Sequence, residues 1–291
     1  MTSCSARQRP PEPRSAGRRW RCYLGGVEPD RFIVDPEDPR APAQHVWDEA
    51  SEAERRRIVA SLPSEPARAQ PPEGDVHRRS KNRAVEALEE FYRRTRRRIY
   101  VSSELPVYYP AERMFAPDLL AVLNVEAHDR RSWVVSAEGR GLDFVLEVHV
   151  AGAKRKDYED NVELYARLGI PEYFVYEPVR GHLSGWRLGD RAGTTYERVV
   201  PQAGRWRSAV LDLDLALAEG RLRFFHGSAE LLDAHELVDR LSRMVDQAVA
   251  RAEEEARRAE EEARRAEEEA KRAERLAARL RELGFDPDTI E

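Results

Sequence analysis

Phe115-Ala116-Pro117-Asp118-Leu119-Leu120-Ala121-Val122 and, further on, Phe144-Val145-Leu146-Glu147-Val148-His149 decide how this chain folds. Behind them come a Lys-Arg-Lys-Asp run at 154–157 and the block Tyr173-Phe174-Val175-Tyr176. An acidic residue opens the first apolar run, and a second acidic residue sits inside the next. An unpaired carboxylate in a dry core costs several kcal/mol. Two carboxylates on apolar strands with basic residues close behind therefore suggest a metal site. The competing reading is plain: Asp118 caps a turn after Pro117, Glu147 pairs with a basic neighbour, and Lys154 and Lys156 are loop surface.

The surrounding pattern predicts an α/β architecture. Asp118–Leu123 and Leu142–Val150 are near-continuous apolar runs, as expected of strands buried on both faces of a helix-covered sheet. A helix is predicted over 157–168, with Gly169 as its C-cap and Pro171 blocking continuation. A strand over 172–177 follows. Strand, helix and strand in that order imply a right-handed crossover and a parallel pair. Upstream, Ala84, Val85, Leu88, Phe91 and Tyr92 form an apolar stripe at helical spacing, so a helix is expected from Val76 to about Arg94 with Asp75 as its N-cap. Another helix is expected over 46–62. Past Gly181, short apolar segments between glycine turns predict antiparallel hairpins that extend the sheet or form a flap beside it.

Both ends of the chain differ from this middle. Residues 1–45 are rich in Pro, Arg and Asp without periodicity and are expected to be a disordered tail, with a short ordered piece near Phe32. From Ser228 the chain is expected to be helical to Leu283. Residues 252–272 repeat Ala-Glu-Glu-Glu-Ala-Arg-Arg three times with one Lys substitution, and the alanines form a heptad stripe. Glu253→Arg257 and its equivalents are favourable i, i+4 pairs, about 0.2–0.5 kcal/mol each. The expected domains are thus 1–45, a globular domain at 46–227, and a helical tail at 228–291 that self-associates or binds a protein partner as a coiled coil.

Composition narrows the class. Charged residues make up 35% of the 291, and no apolar run approaches the roughly 20 residues that span a bilayer. No membrane partner is expected. The N-terminus lacks the apolar segment of a secretory signal, and Cys4 and Cys22 offer neither a disulfide framework nor ligand spacing, so a reducing cytoplasm is the default. The net charge of −5 argues against a protein that merely coats nucleic acid. Locally the balance reverses: residues 77–98 hold nine Lys or Arg against three Glu, a net of +6. Such a patch can neutralise phosphates. A solvated helix face is the alternative.

The ordered set of segments resembles the Uma-type restriction endonuclease family, a branch of the PD-(D/E)XK nuclease superfamily. The resemblance rests on Gly74-Asp75-Val76-His77, on Phe115–Val122, on Val145-Leu146-Glu147-Val148, and on Tyr165-Ala166-Arg167-Leu168-Gly169-Ile170-Pro171-Glu172-Tyr173-Phe174-Val175-Tyr176. It covers roughly residues 46–225. It implies a restriction-endonuclease-like mixed sheet flanked by helices, with antiparallel hairpins and a long charged C-terminal helix. It further implies Asp118 and Glu147 as ligands of Mg²⁺ (or Mn²⁺), a backbone carbonyl beside Glu147 in the coordination shell, DNA as substrate, and a homodimer. In one place the chain departs from the superfamily: its Glu-X-Lys lysine would fall at 149, where this chain has His149. The position that commonly carries a relocated lysine in this branch falls on Asn161. Lys156 is the best remaining candidate, with Lys154 behind it, and His149 is an alternative base or ligand. Glu86 is a candidate third acidic ligand, and His77 is either a site residue or a polar contact at a helix start. The expected activity is Mg²⁺-dependent DNA endonuclease. The alternative is an inactive nuclease-fold module that binds nucleic acid, or a protein through its tail.

Overall fold

The computed structural model describes residues 32–65, 74–189 and 193–284, and the following concerns the unit from Val34 onward. Two short helices come first, α1 (Gln44–Glu49) and α2 (Glu52–Ser61). They divide the single helix expected over 46–62. The Ser51 hydroxyl accepts the Glu54 N–H and starts a new helix, while Ala50 turns extended. The long helix α3 (Asp75–Thr95) matches its stripe and buries Ala84, Ala87, Leu88 and Tyr92. Its N-cap is Gly74 rather than Asp75. Asp75 sits in the first turn instead, where it suits the positive helix end and meets Arg78 and Arg79.

The strands β1 (Ile99–Ser102), β2 (Val107–Tyr108), β3 (Leu119–Leu123) and β4 (Trp133–Val134) lead through the short helix α4 (Val135–Glu138) to β5 (Phe144–Val148). A π-helical turn (Lys156–Asp160) then runs into α5 (Asn161–Arg167), so the helix expected over 157–168 is wound in two pitches. Strands β6 (Glu172–Glu177), β7 (His182–Leu188) and β8 (Tyr196–Arg198) complete the main sheet. A second set follows: β9 (Arg205–Ser208), β10 (Leu213–Ala218), β11 (Arg221–His226) and β12 (Ala229–Glu230). The helix α6 (Ala234–Glu282) ends the described chain. It starts six residues later than expected, because Ala229–Glu230 pairs with β11 and Asp233 closes a capping box with Glu236.

The main sheet is mixed, in the order β1-β3-β5-β6-β7-β8. Only β5 and β6 run parallel in it, joined by the π turn and α5, as the strand–helix–strand pattern predicts. The four-stranded sheet β12-β11-β10-β9 is antiparallel, so the hairpin region both extends the main sheet and forms a flap. Along β5, Phe144 and Leu146 pack with α3 and the second sheet, while Val145 packs with Tyr165 and Tyr173 on the other face. Both faces of the strand are covered, which accounts for its unbroken apolar sequence.

Residues 1–31 of the expected tail lie outside the described residues. From residue 34 the tail expectation is corrected. Ala41 is 2% exposed and bridges to Pro110, Arg40 bridges to Arg113, and α1 begins at Gln44. The added segment buries Ala41 with Leu62, Tyr108 and Val134 in a small core of its own.

A buried carboxylate in the main sheet is tied to the second sheet through Ser208 and Ala209. Glu172 is wholly buried in β6; its carboxylate accepts from Arg187 Nε (2.7 Å), from the Ala209 N–H (2.8 Å) and from the Ser208 hydroxyl. Removing its cationic partner strands a charge in the core. Arg187→Ala is expected to destabilise the protein by about 3 kcal/mol, measured as a lowered urea midpoint with unchanged slope.

Candidate active site

The antiparallel register of β3 and β5 sets Leu119 opposite Leu146, and one further step brings Asp118 across from Glu147. The two residues singled out in the sequence thus meet at one end of the sheet. Asp118 Oδ2 accepts the Val148 N–H at 2.7 Å and lies 3.0 Å from His77 Nε2, on the first turn of α3. Glu147 is 4% exposed. Its Oε1 accepts the Tyr165 hydroxyl at 2.9 Å and sits 3.5 Å from Asn161 Nδ2, so α5 supplies both supports of this carboxylate.

The two acids titrate apart. Burial alone pushes the Asp118 carboxyl up, but the His77 hydrogen bond and charge, the Val148 N–H and a hydrogen bond from Glu147 together hold it below the usual aspartate range. Burial drives Glu147 well above the usual glutamate range, and the Asp118 charge adds to this; Lys156 opposes it, and Asp157 adds further. Without a cation, the pair holds one negative charge readily and resists a second. A divalent ion between them would remove that resistance. Among the described residues, no three His, Cys, Asp or Glu side chains converge as ligands. Two carboxylates suit Mg²⁺ or Mn²⁺, which complete their shells with several waters and substrate oxygens. They do not suit a closed structural zinc site.

The basic candidates separate. His149 is buried, and its Nδ1 lies 2.7 Å from Asp157 Oδ2, while its backbone N–H donates to the Tyr176 carbonyl. With Nδ1–H given to the aspartate, Nε2 is the acceptor of the neutral ring. Asp157 is also close enough to raise Glu147, so this pair stands beside the carboxylates. Lys156 is exposed, and its charge reaches Glu147. Lys154 is held elsewhere: its Nζ lies 2.7 Å from Glu177 Oε1, which also accepts the Tyr158 hydroxyl at 2.6 Å. Glu86 is not brought to the pair, contrary to expectation. Nine residues beyond His77, it lies about 13 Å along α3 and on the opposite side of the helix, where its charge acts on Glu89.

Sequence reasoning left Tyr165 as core and His77 open. Tyr165 is core, but a buried phenol needs a hydrogen-bond partner, and that requirement was the available signal. Asn161 enters the site at the position noted for a relocated lysine, one helical turn before Tyr165. Asp157 had no such signal.

A half-buried and a buried carboxylate at the meeting ends of antiparallel strands, backed by a helix that follows the second strand, define a nuclease-like α/β protein. The chain belongs to the Uma2 family, described as "Putative restriction endonuclease", whose model matches residues 60–219. Among solved structures, one described as "a putative nuclease belonging to DUF820" from Anabaena variabilis is similar with a TM-score of 0.40 and 12% identity, over 52% of this chain and 82% of that one. No curated protein matches the chain. Among the described residues, no helix is long and apolar enough to cross a membrane.

Because folding favours the neutral form of Glu147, the stability it contributes is full below the ordinary glutamate range and is lost as pH rises through its raised value. At neutral pH in a chelator, Glu147→Gln is therefore expected to raise the thermal midpoint by a few degrees. Adding Mn²⁺ should raise the midpoint of the natural chain and leave that of the variant unmoved.

Proposed function

We propose that this protein is a divalent-metal-dependent endonuclease that hydrolyses phosphodiester bonds in DNA. The observation that carries the reading is the Asp118–Glu147 pair, two carboxylates brought together at one end of the sheet and each braced by dedicated donors. Asp118 and Glu147 would hold Mg²⁺ or Mn²⁺, which stabilises charge on a phosphoryl oxygen and acidifies bound water. The protein's own groups do the rest. His77 and the Val148 N–H fix Asp118; Tyr165 and Asn161 fix Glu147. His149, oriented by Asp157, accepts the proton of the attacking water at Nε2. The water oxygen bonds to phosphorus, the bond from phosphorus to the 3′ oxygen breaks, that oxygen takes up a proton from solvent, and the products carry a 5′-phosphate and a 3′-hydroxyl. Lys156 adds positive charge at the edge of the site.

Plasmid nicking with Mg²⁺ or Mn²⁺ tests the reading. Asp118→Ala and Glu147→Ala are expected to abolish it. His149→Ala should slow it about 10²–10³-fold, whereas His149→Lys, which restores the Glu-X-Lys order, should retain it. Equal rates in His149→Ala and the natural chain would remove His149 from the reaction.

A second reading, a non-catalytic module that binds through its tail, is favoured by α6. None of its side chains is buried, and Val238, Leu241, Met244 and Val245 stand exposed along its first half. The flanks of its alanine seam constrain the partner. With Ala252 and Ala256 at d and a, Glu253 and Glu255 occupy e and g, and each repeat does the same. Two copies in register set glutamate against glutamate, so a partner helix with basic flanks matches α6 better than a second copy. Changing Glu255, Glu262 and Glu269 together to Lys would face them with Glu260, Glu267 and Glu274 of a second copy. Sedimentation equilibrium is expected to show a larger dimer fraction for that variant than for the natural chain.

A further inference from the structure

The arginine run Arg93-Arg94-Thr95-Arg96-Arg97-Arg98 has no role in the site at the other end of α3. All six residues are exposed. Arg78 and Arg79, near His77, are committed to Asp75, but the far cluster is only loosely neutralised. Arg93 bonds Glu90 on the same helix. Arg97 and Arg98 approach Asp212 and Glu126 at 3.7 and 4.0 Å. Among the described residues, the guanidinium groups of Arg94 and Arg96 make no hydrogen bond or ion pair.

Helix capping explains part of this run and not the rest. Cations in the last turn complement the negative end of a helix, which accounts for Arg93 and Arg94. Arg96 lies past the end and terminates α3 in the left-handed region, φ 55°, with the Arg97 N–H bonded back to the Tyr92 carbonyl. Glycine or asparagine fits that position without strain, so capping preference does not account for the arginine there. Beside the cluster a cleft of about 980 Å³ opens, floored by Tyr92, Ile99 and Tyr100, with Glu89, Glu126 and Asp129 among its lining groups. Arg130 also lines it but is committed to Glu138 and stacks on Tyr100 and Trp133.

We propose that Arg93–Arg98 and this cleft form a second phosphate-backbone site, which grips the DNA duplex at a distance from the carboxylate pair. The proposal rests on the nucleic-acid reading above. α3 acts as the spacer. His77 at its start touches Asp118, and Arg94 lies seventeen residues on, about 25 Å along the axis, or roughly seven base pairs of duplex.

Binding in a chelator tests this without any cleavage, so its outcome is separable from that of the nuclease reading. Fluorescein-labelled DNA hairpins with stems of about 5 and about 16 base pairs would be titrated with the full chain over a range of salt. The short stem cannot span both sites. The natural chain is expected to prefer the long stem about tenfold or more. Arg94→Gln, Arg96→Gln and Arg98→Gln together should collapse that preference and flatten the salt dependence of log K by about 2 to 3. Arg96→Gly is a second, independent arm: relief of the left-handed strain should raise the thermal midpoint, while affinity for the long stem falls. A triple variant that keeps both preference and salt slope overturns the proposal, as does Arg96→Gly with unchanged affinity. Displacement of the long stem by millimolar orthophosphate would assign the cluster to a small anion instead and equally overturn it.

Discussion

Two carboxylates on neighbouring buried strands resist being charged together, and much of this molecule is arranged to keep them side by side. Asp118 and Glu147 face one another because β3 and β5 are antiparallel and in a register fixed by the apolar residues behind them. A slip of one residue would turn Glu147 to the other face and break the pair. The carboxylates are then held from two sides. His77 on α3 approaches Asp118 from one, and Asn161 and Tyr165 on α5 reach Glu147 from the other. In the absence of a cation the arrangement favours one proton shared between two acids, a state poorer than the same geometry with a divalent ion. The site is thus stabilised by its surroundings rather than by its own contacts, which is common where function and stability compete.

The helix α3 couples this site to the rest of the surface. Its outer face is heavily charged, and its inner face anchors the main core through Leu88 and Tyr92, whose hydroxyl donates to the Leu211 carbonyl in the turn between β9 and β10. Its two ends sit in different environments, one at the carboxylates and one in a cluster of arginines. A rigid rod of this length holds the two ends at a set separation, which a loop would not do. The second sheet, locked on by Glu172 and Arg187, keeps the far end of that rod in place.

The tail has a different logic. Along α6 the charge pattern, not the apolar pattern, carries the information. Glu254 bonds Arg257 and Arg258 within the helix, so the helix is supported by its own surface pairs. Its seam is narrow because alanine buries little area, and glutamates flank it on both sides.

Much of this was legible in the residues alone. The β3 and β5 runs, the α3 stripe, the parallel β5–β6 pair and the repeat of the tail are all properties of near neighbours in sequence, and local periodicity records them. Asp118 and Glu147 could be singled out because a carboxylate in an apolar run is locally anomalous. The partners of those charges were not legible. His77 lies 41 residues from Asp118, Lys154 lies 23 residues from Glu177, and Arg187 lies 15 residues from Glu172. Whether such pairs meet depends on how separate elements pack, and composition is silent on that. Glu86 was a candidate through the family resemblance, Lys154 by type and proximity in sequence. Helix rotation carried the first away, and a buried glutamate at the end of β6 captured the second. What sequence by itself determined was the framework and the two acids at its centre; which side chains reach those acids was decided only in three dimensions, because charge interactions follow distance in space and not distance along the chain.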